Sequence, residues 1–340
     1  MTEEPITLVG ELMARCGVKV PEPEFIKIVS NALHELEAPI YDERHPEITS
    51  QVAPQFDEFV AFVLSSVNRR RLRILDIGCG TGFASQSIIE RLGGQIAQLV
   101  CSDISLHMLE QCRKRIGGQS AVSFVLGDID SVRSQFPAFD LVVTCSVVHH
   151  IPDVPGFLHS VCELVDAGGF YLMMHEPSDR FYRNPFCKEV LDRFSPKTGY
   201  RRPGRFTDPR GYHRRLKKWL GMPAPNVQPS LEKQTSQLLL SRGAIQSPLS
   251  EREVRQLVDI HVPAIHSGSF TIGYEGFDVD DLKSRCLPGF VIRKFHSYGF
   301  LGPYFVGGLS PHWRRLTKQL AAKYPDDGAQ FCTLWQKAFE

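Results

Sequence analysis

Short apolar runs alternate with helical patterns along the middle of this chain. The runs Ile74–Ile77, Gln98–Cys101, Val122–Leu126 and Phe139–Thr144 are typical of buried parallel strands, and Leu164–Met174 supplies a glycine turn and a fifth strand. Segments with apolar residues at helical spacing, such as Ala84–Leu92, separate these runs. Strands that alternate with helices predict a parallel sheet with right-handed crossovers.

A glycine-rich turn directly follows the first of these strands. Gly78, Gly80 and Gly82 stand at alternate positions, where missing Cβ atoms let a ligand approach the backbone closely. The spacing differs from the dinucleotide-binding fingerprint, which requires a third glycine where Phe83 stands. Asp103 lies just past the second strand, where an acid can hydrogen-bond the hydroxyls of a ribose.

The order of these motifs resembles a known family. Residues 73–177 carry Leu75–Gly82, Asp103, Gly127-Asp128, His149-His150-Ile151-Pro152-Asp153 and Ala167-Gly168-Gly169. Together they resemble the core of a class I (Rossmann-like) methyltransferase that uses S-adenosylmethionine (SAM). The resemblance implies an α/β fold with a seven-stranded sheet, mostly parallel, whose last strand is antiparallel. It places a crossover helix at Phe277–Leu287, strand six at Phe290–Ser297 and the last strand at Ala329–Lys337.

The resemblance also divides the chain into three parts. Residues 1–70 are expected to form an N-terminal helical lid, with helices at Pro23–Leu36 and Ile48–Val67. Residues 71–177 and 277–340 form the SAM-binding domain. Residues 178–276 are too long for one crossover helix or an unstructured loop, and they predict a helical cap between strands 5 and 6 that shapes the acceptor pocket. The cap helices are expected at Pro185–Phe194, Gly211–Leu220, Pro229–Leu240 and Ser250–Ile260.

The methionine end of SAM is assigned by the resemblance to the first motif and the fourth strand. The backbone of Gly78–Gly82 and the dipole of the next helix favour its carboxylate, and Asp76 holds its ammonium, directly or through water. The carbonyl of Cys145 lies near the sulfonium or the ammonium. Tyr41, from the lid, either closes the pocket or packs between two helices.

The adenosine end is assigned to the tips of the second and third strands. Asp103 binds the ribose, and Ile104 and Met108 enclose the adenine. Asp128 accepts from the adenine amino group, and the N–H of Ile129 donates to the ring. The alternative for each acid is a helix N-cap or a solvated strand end.

Catalytic candidates follow strands four and five. His149 or His150 is a candidate base or substrate donor, and a structural role for the pair is the alternative. Glu176 either orients a polar acceptor or pairs with Arg180. Tyr182 either contacts the sulfonium face-on, an attraction of about 0.5–2 kcal/mol, or belongs to the core of the cap.

Charge and composition limit the partners. The segment Lys197–Lys218 holds nine basic residues against one acid, which indicates a solvated face or a dock for an anionic acceptor such as a phosphate, a carboxylate or a carrier-protein-bound acyl chain. Its few aromatics argue against RNA. We expect no metal site, because other histidines such as His261 and His266 are scattered. The lack of a long apolar run and of a signal peptide predicts a cytoplasmic protein with no membrane contact.

The leading hypothesis is therefore a SAM-dependent methyltransferase that acts on a small molecule in a biosynthetic or secondary-metabolite pathway. Anionic molecules are among the candidate acceptors. Two alternatives stay open. The same cofactor supports non-methyl chemistry, namely cyclisation or aminocarboxypropyl transfer with release of methylthioadenosine. A non-catalytic SAM-binding regulatory subunit is the other. The sequence leaves open the acceptor, the atom that receives the methyl group and the oligomeric state.

Overall fold

The computed structural model describes residues 8–67, 71–117, 121–194, 229–261, 276–301 and 309–339. The predicted cap helix Gly211–Leu220, the basic segment Lys197–Lys218 and His266 lie outside these ranges. Within them, no helix is both long and apolar enough to cross a membrane.

Seven strands form one sheet in the order β3-β2-β1-β4-β5-β7-β6. Strand β7 is antiparallel to both of its neighbours, and the pairs among β1 to β5 are parallel. This confirms the predicted fold class. The strands are β1 (Leu72–Ile77), β2 (Ile96–Asp103), β3 (Val122–Leu126), β4 (Phe139–Cys145), β5 (Val165–Pro177), β6 (Phe290–Tyr298) and β7 (Gln330–Lys337).

Successive side chains of the strands enter apolar cores on opposite faces of the sheet. In β1, Ile74 packs with the helices that precede and follow the strand, whereas Leu75 and Ile77 pack on the other face. The helices of the sheet domain are α4 (Ala53–Ser66), α5 (Phe83–Leu92), α6 (Leu106–Ile116), α7 (Ile129–Arg133), α8 (Val154–Leu164), α13 (Val279–Asp281) and α14 (Pro311–Lys323).

Helices from the expected lid and from the end of the expected cap pack together. They are α1 (Leu8–Arg15), α2 (Glu22–Glu37), α11 (Leu231–Ser241) and α12 (Glu251–Val258). The other helices of these segments are α3 (Tyr41–Arg44), α9 (Asp179–Arg183) and α10 (Pro185–Arg193), and the last two pack in a separate apolar cluster with Phe300 and Leu320. Phe25 and Val29 of α2 share one buried apolar cluster with Leu239 of α11 and Val254 of α12. Helices α1 and α2 at the start of the chain and helices α11 and α12 of the insertion therefore form one helical layer.

Two helix predictions differ from the structure. The expected helix Ile48–Val67 begins with a π-helical turn at Ile48–Val52, before α4. The expected crossover helix Phe277–Leu287 is a three-residue helix, α13, followed by a π-helical turn at Leu282–Cys286. The predicted N-cap of α12 is present: Ser250 and Glu253 form a reciprocal capping box.

Candidate active site

A cavity of about 660 Å³ opens at the carboxyl ends of the central parallel strands. This is the edge where α/β sheets of this type bind ligands, and the volume lies in the range of small-molecule sites. Most of the residues predicted from the sequence line it, namely Tyr41, Asp76, Gly78, Gly80, Asp103, Ile104, Met108, Asp128, Ile129, Cys145 and His150. Among the described residues, the predicted candidates Gly82, His149, Glu176 and Tyr182 do not line this cavity.

The glycine turn needs its glycines for two different reasons. Gly78, Gly80 and Gly82 all have positive φ, at 65°, 53° and 90°. A Cβ on Gly78 would lie 2.5 Å from a methyl group of Val147, and one on Gly82 would lie 2.9 Å from the Cys112 sulfur of α6. Gly82 therefore serves helix packing beneath the turn, whereas Gly78 and Gly80 border the cavity.

Asp103 fixes the turn to the end of β2. Its Oδ2 accepts the N–H of Gly80 at 2.9 Å, and its Oδ1 accepts the N–H of Ser105 at 2.8 Å. Burial raises the pKa of this carboxyl, which is 8% exposed. Each carboxylate oxygen has a further lone pair, so the group can also accept from ribose hydroxyls while it holds the turn.

Asp76, a fully buried residue of the cavity lining, has an unsatisfied carboxyl oxygen. Its Oδ2 accepts the Ser85 hydroxyl at 2.5 Å, while its buried Oδ1 has no hydrogen-bond partner among the described residues. Burial raises the pKa of Asp76 to about 8. A cation such as the ammonium of an amino acid would supply the missing donor and favour the ionised form.

Asp128 already has partners in the structure. Its Oδ1 accepts the N–H of Ser131 as the N-cap of α7, and its Oδ2 accepts Lys27 Nζ of α2 at 2.8 Å. The N-cap was the alternative considered for this acid, whereas the pairing with Lys27 had no signal in the sequence. Both charged side chains are about two-fifths exposed, at 40% and 43%, so the ion pair contributes little to stability.

The segment around Tyr41 contacts the glycine turn. Asp42 accepts the Thr81 hydroxyl at 2.8 Å and also pairs with Arg115. The rings of Tyr41 and His45 lie 4.3 Å apart. Burial opposes the charge on His45, but hydrogen bonds to Glu37 and Glu47 outweigh it and raise its pKa to about 9.

Glu176 organises the turn that carries the histidine pair. The turn, Val148–His150, follows β4 as a 3₁₀ helix. Glu176 Oε1 accepts the N–H groups of Val147 and Val148 at 3.0 and 2.9 Å. Its Oε2 accepts the N–H of His149 at 3.0 Å and lies 2.8 Å from His149 Nδ1.

Glu176 does not pair with Arg180, which was one of its two predicted roles. The Glu176 carboxyl is fully buried under the turn, and Arg180 pairs with Asp280 at 2.8 Å. Burial raises the pKa of Glu176 to about 7. The contacts give this side chain a positioning role, because they fix the backbone that borders the cavity.

His150 is the member of the histidine pair that lines the cavity. Its Nδ1 lies 2.7 Å from the Val258 carbonyl, and a carbonyl only accepts, so this nitrogen carries the hydrogen. Burial and the neighbouring His149 lower the pKa of His150 to about 3, which keeps the ring neutral at pH 7. Nε2 of His150 therefore carries a lone pair.

Tyr182 lies apart from the cavity, which corrects its expected contact with the sulfonium. It packs against Phe181, with ring centroids 5.0 Å apart, in an apolar cluster that includes Cys187 and Leu191. This is the core position considered as the alternative.

The methyltransferase domain family matches residues 75–171. The match covers less than a third of the chain, and in that part the sheet order and the cavity agree with a methyltransferase domain that uses SAM as its co-substrate. Asp76 and Asp103 fit this co-substrate, because one offers an unpaired buried oxygen and the other a fixed carboxylate at the cavity.

Among known proteins, this chain is similar to malonyl-[acyl-carrier protein] O-methyltransferase of Legionella pneumophila, with 30% identity over 136 residues, which are 40% of this chain and 45% of that enzyme. It is also 27% identical over 172 residues, or 48% of its length, to a polyketide synthase-nonribosomal peptide synthetase of Aspergillus clavatus, of which it covers 4%. The chain thus spans less than half of either relative. A solved trans-methyltransferase, CalH with S-adenosylhomocysteine, is 29% identical over 33% of each chain, with a TM-score of 0.30.

Proposed function

We propose that this chain transfers the methyl group of SAM to a small acceptor. The observation that carries the proposal is the joint placement, on one cavity, of the fixed Asp103 carboxylate, the unpaired Asp76 oxygen and neutral His150. Asp103 would hold the ribose and Asp76 the ammonium of the methionine tail, while Ile104 and Met108 enclose the adenine. The acceptor would then meet the methyl group on the His150 side.

Little acid–base chemistry is required of such a site. The sulfonium is already activated, so the enzyme mainly aligns the two reactants and excludes water. The bond from methyl carbon to sulfur breaks as the bond to the acceptor forms, and neutral S-adenosylhomocysteine is released. His150 Nε2 can accept a hydrogen bond from an acceptor hydroxyl and take its proton, because an oxygen that has gained a methyl group is a far stronger acid than an imidazolium.

We propose a carrier-protein-bound acyl group as the acceptor. Malonyl-[acyl-carrier protein] O-methyltransferases are among the relatives of this chain, and a malonyl group carries a free carboxylate. The basic segment Lys197–Lys218, identified from the sequence, offers charge complementary to such a partner.

Mass spectrometry of nucleoside products tests the reaction class. Purified chain is incubated with SAM, alone and with malonyl-carrier protein or a metabolite extract, and S-adenosylhomocysteine is the expected product. Methylthioadenosine would instead support cyclisation or aminocarboxypropyl transfer. Saturable SAM binding with neither product, for every acceptor, would support the non-catalytic regulatory role and overturn the proposal.

The basic segment is tested by replacing Arg201, Arg202 and Arg205 together with alanine. We expect the KM for the carrier-bound acceptor to rise at least tenfold while SAM affinity stays unchanged. The matched control replaces Arg314, Arg315 and Lys318, a basic group of equal size on α14. Equal KM values for the two triple variants would remove the carrier dock from the proposal.

A further inference from the structure

We propose that His149, His150 and Asp259 form a binding site for a divalent transition metal beside the SAM cavity. The two histidines stand on the turn after β4, and Asp259 directly follows α12 of the helical layer. One ligand atom from each of the three residues lies within 4.8 Å of the other two. The site does not depend on the proposed methyl transfer, although it borders the same cavity.

The distances are close to those of a bound ion. The ligand atoms of the three residues lie within 4.8 Å of one another, and the two imidazole centroids are 4.0 Å apart. Ligand atoms around a tetrahedral zinc, with bonds of about 2.0–2.1 Å, are about 3.3 Å from one another. Closing the three groups around a metal therefore requires each separation to shorten by at most about 1.5 Å.

Both histidines are oriented as metal-binding histidines usually are. The Nδ1 of His149 is engaged by the Glu176 carboxylate at 2.8 Å, and the Nδ1 of His150 by the Val258 carbonyl at 2.7 Å. Such outer contacts fix the ring and its tautomer, which leaves Nε2 as the ligand atom. No hydrogen bond reaches Nε2 of either ring in the described part of the chain.

The protonation states agree with this arrangement. Burial lowers the pKa of His149 to about 4, and burial together with His149 lowers that of His150 to about 3. Both rings are therefore neutral at pH 7, as metal ligands must be. The other charged or titratable groups that face them are Glu176, His261, and His34 and Glu37 of α2.

No lysine or arginine forms an ion pair with Asp259 in the described part of the chain. Within the described residues its only ion-pair partner is His150, which is neutral, and 45% of its side-chain surface stays accessible. A divalent cation between the carboxylate and the two imidazoles would supply a charged partner for Asp259.

The donor set identifies the class of ion. Two imidazoles and one carboxylate suit Zn²⁺ and neighbouring first-row metals, whereas Mg²⁺ prefers oxygen ligands and water. Three protein ligands leave a coordination position open, as in catalytic rather than structural zinc sites. Because His150 lines the SAM cavity, an acceptor oxygen could occupy the open position. The acceptor would then bind the metal instead of forming a hydrogen bond with His150 Nε2.

Calorimetric titration of tag-free, chelator-treated full chain tests the site. Zn²⁺ should bind with one equivalent and Mg²⁺ should show no saturable binding at the same concentrations. Asp259→Asn, which keeps the side-chain size, and His150→Ala should each weaken Zn²⁺ binding by more than about 10- to 100-fold, since the loss of an outer contact alone has an effect of that size. His159→Ala, on the exposed face of α8 and 72% accessible, is the matched histidine control.

The outcomes separate this proposal from the proposed function. Binding of Zn²⁺ that is equal in wild type and Asp259→Asn, or no saturable binding at all, would overturn the metal site whatever the SAM result. S-adenosylhomocysteine binding, measured on the same samples, reports on the cofactor cavity and on folding. If His150→Ala does not fold, Asp259→Asn decides alone.

Discussion

Replacing Asp103 with asparagine should separate cofactor binding from folding most directly. The change removes one charge and turns one acceptor oxygen into an NH₂ group. In the wild-type structure the two oxygens accept the N–H groups of Gly80 and Ser105. In either orientation of the asparagine amide, one of these N–H groups would face another donor.

The size of the effect follows from these contacts. Hydrogen bonds to a charged group contribute about 1.5–3 kcal/mol each, and a neutral amide gives about half of that. Weaker bonds to two ribose hydroxyls, together with a loosened turn, should cost about 2–4 kcal/mol of SAM binding, or about a 30- to 1000-fold rise in Kd. The backbone N–H group that faces the asparagine NH₂ group loses its acceptor, and this loss should lower the free energy of unfolding by about 1–3 kcal/mol.

Isothermal titration with SAM and S-adenosylhomocysteine measures the first quantity, and urea denaturation the second. Asp192→Asn, an equal change of charge on the exposed face of α10, is the control and should alter neither. A folded Asp103→Asn variant that binds SAM within threefold of wild type would refute the assignment of the ribose to this carboxylate.

Three further results are expected. Glu176→Gln should lower the free energy of unfolding by about 2–4 kcal/mol in urea, because an amide cannot accept all four hydrogen bonds that the carboxylate receives. The stabilisation that His45 contributes, with a folded pKa raised to about 9, should be complete below pH 6.5 and disappear as the pH rises through 9. The difference in stability between wild type and His45→Asn, at most about 3 kcal/mol, should therefore shrink from pH 6 to pH 10. Gly78→Ala should weaken SAM binding more than Gly80→Ala, since only the former methyl group meets Val147, and Val147→Ala should restore part of the loss.

Each of these expectations has a contrary outcome. A Glu176→Gln variant within 1 kcal/mol of wild type would show that the buried carboxylate does not hold the histidine turn. A stability difference between wild type and His45→Asn that grows with pH would contradict the prediction that protonated His45 stabilises the fold. Equal SAM affinities for the two glycine variants would mean that the positive φ angles alone require glycine in the turn, and that the contact with Val147 has no effect.

Some long-range contacts of the site left no trace in the local pattern of the chain. Lys27 pairs with Asp128 only because α2 packs over the tip of β3. Glu176 lies under the histidine turn because β4 and β5 are neighbours, and nothing near it in sequence indicates four donors. The prediction for Tyr182 put it at the cavity for a similar reason: its position after β5 is local information, whereas the direction in which α9 packs is not.

The sequence by itself determined the sheet and its ligand edge. Strand periodicity, turn glycines and strand-tip acids are local features, and parallel topology brings the carboxyl ends of strands together at one edge, so Gly78, Asp103 and Asp128 had to meet. Only the tertiary structure decided what faces them. Asp259 reaches His149 and His150 through the packing of a distant helical layer, whose position depends on the burial of apolar surface summed over many residues rather than on any short pattern.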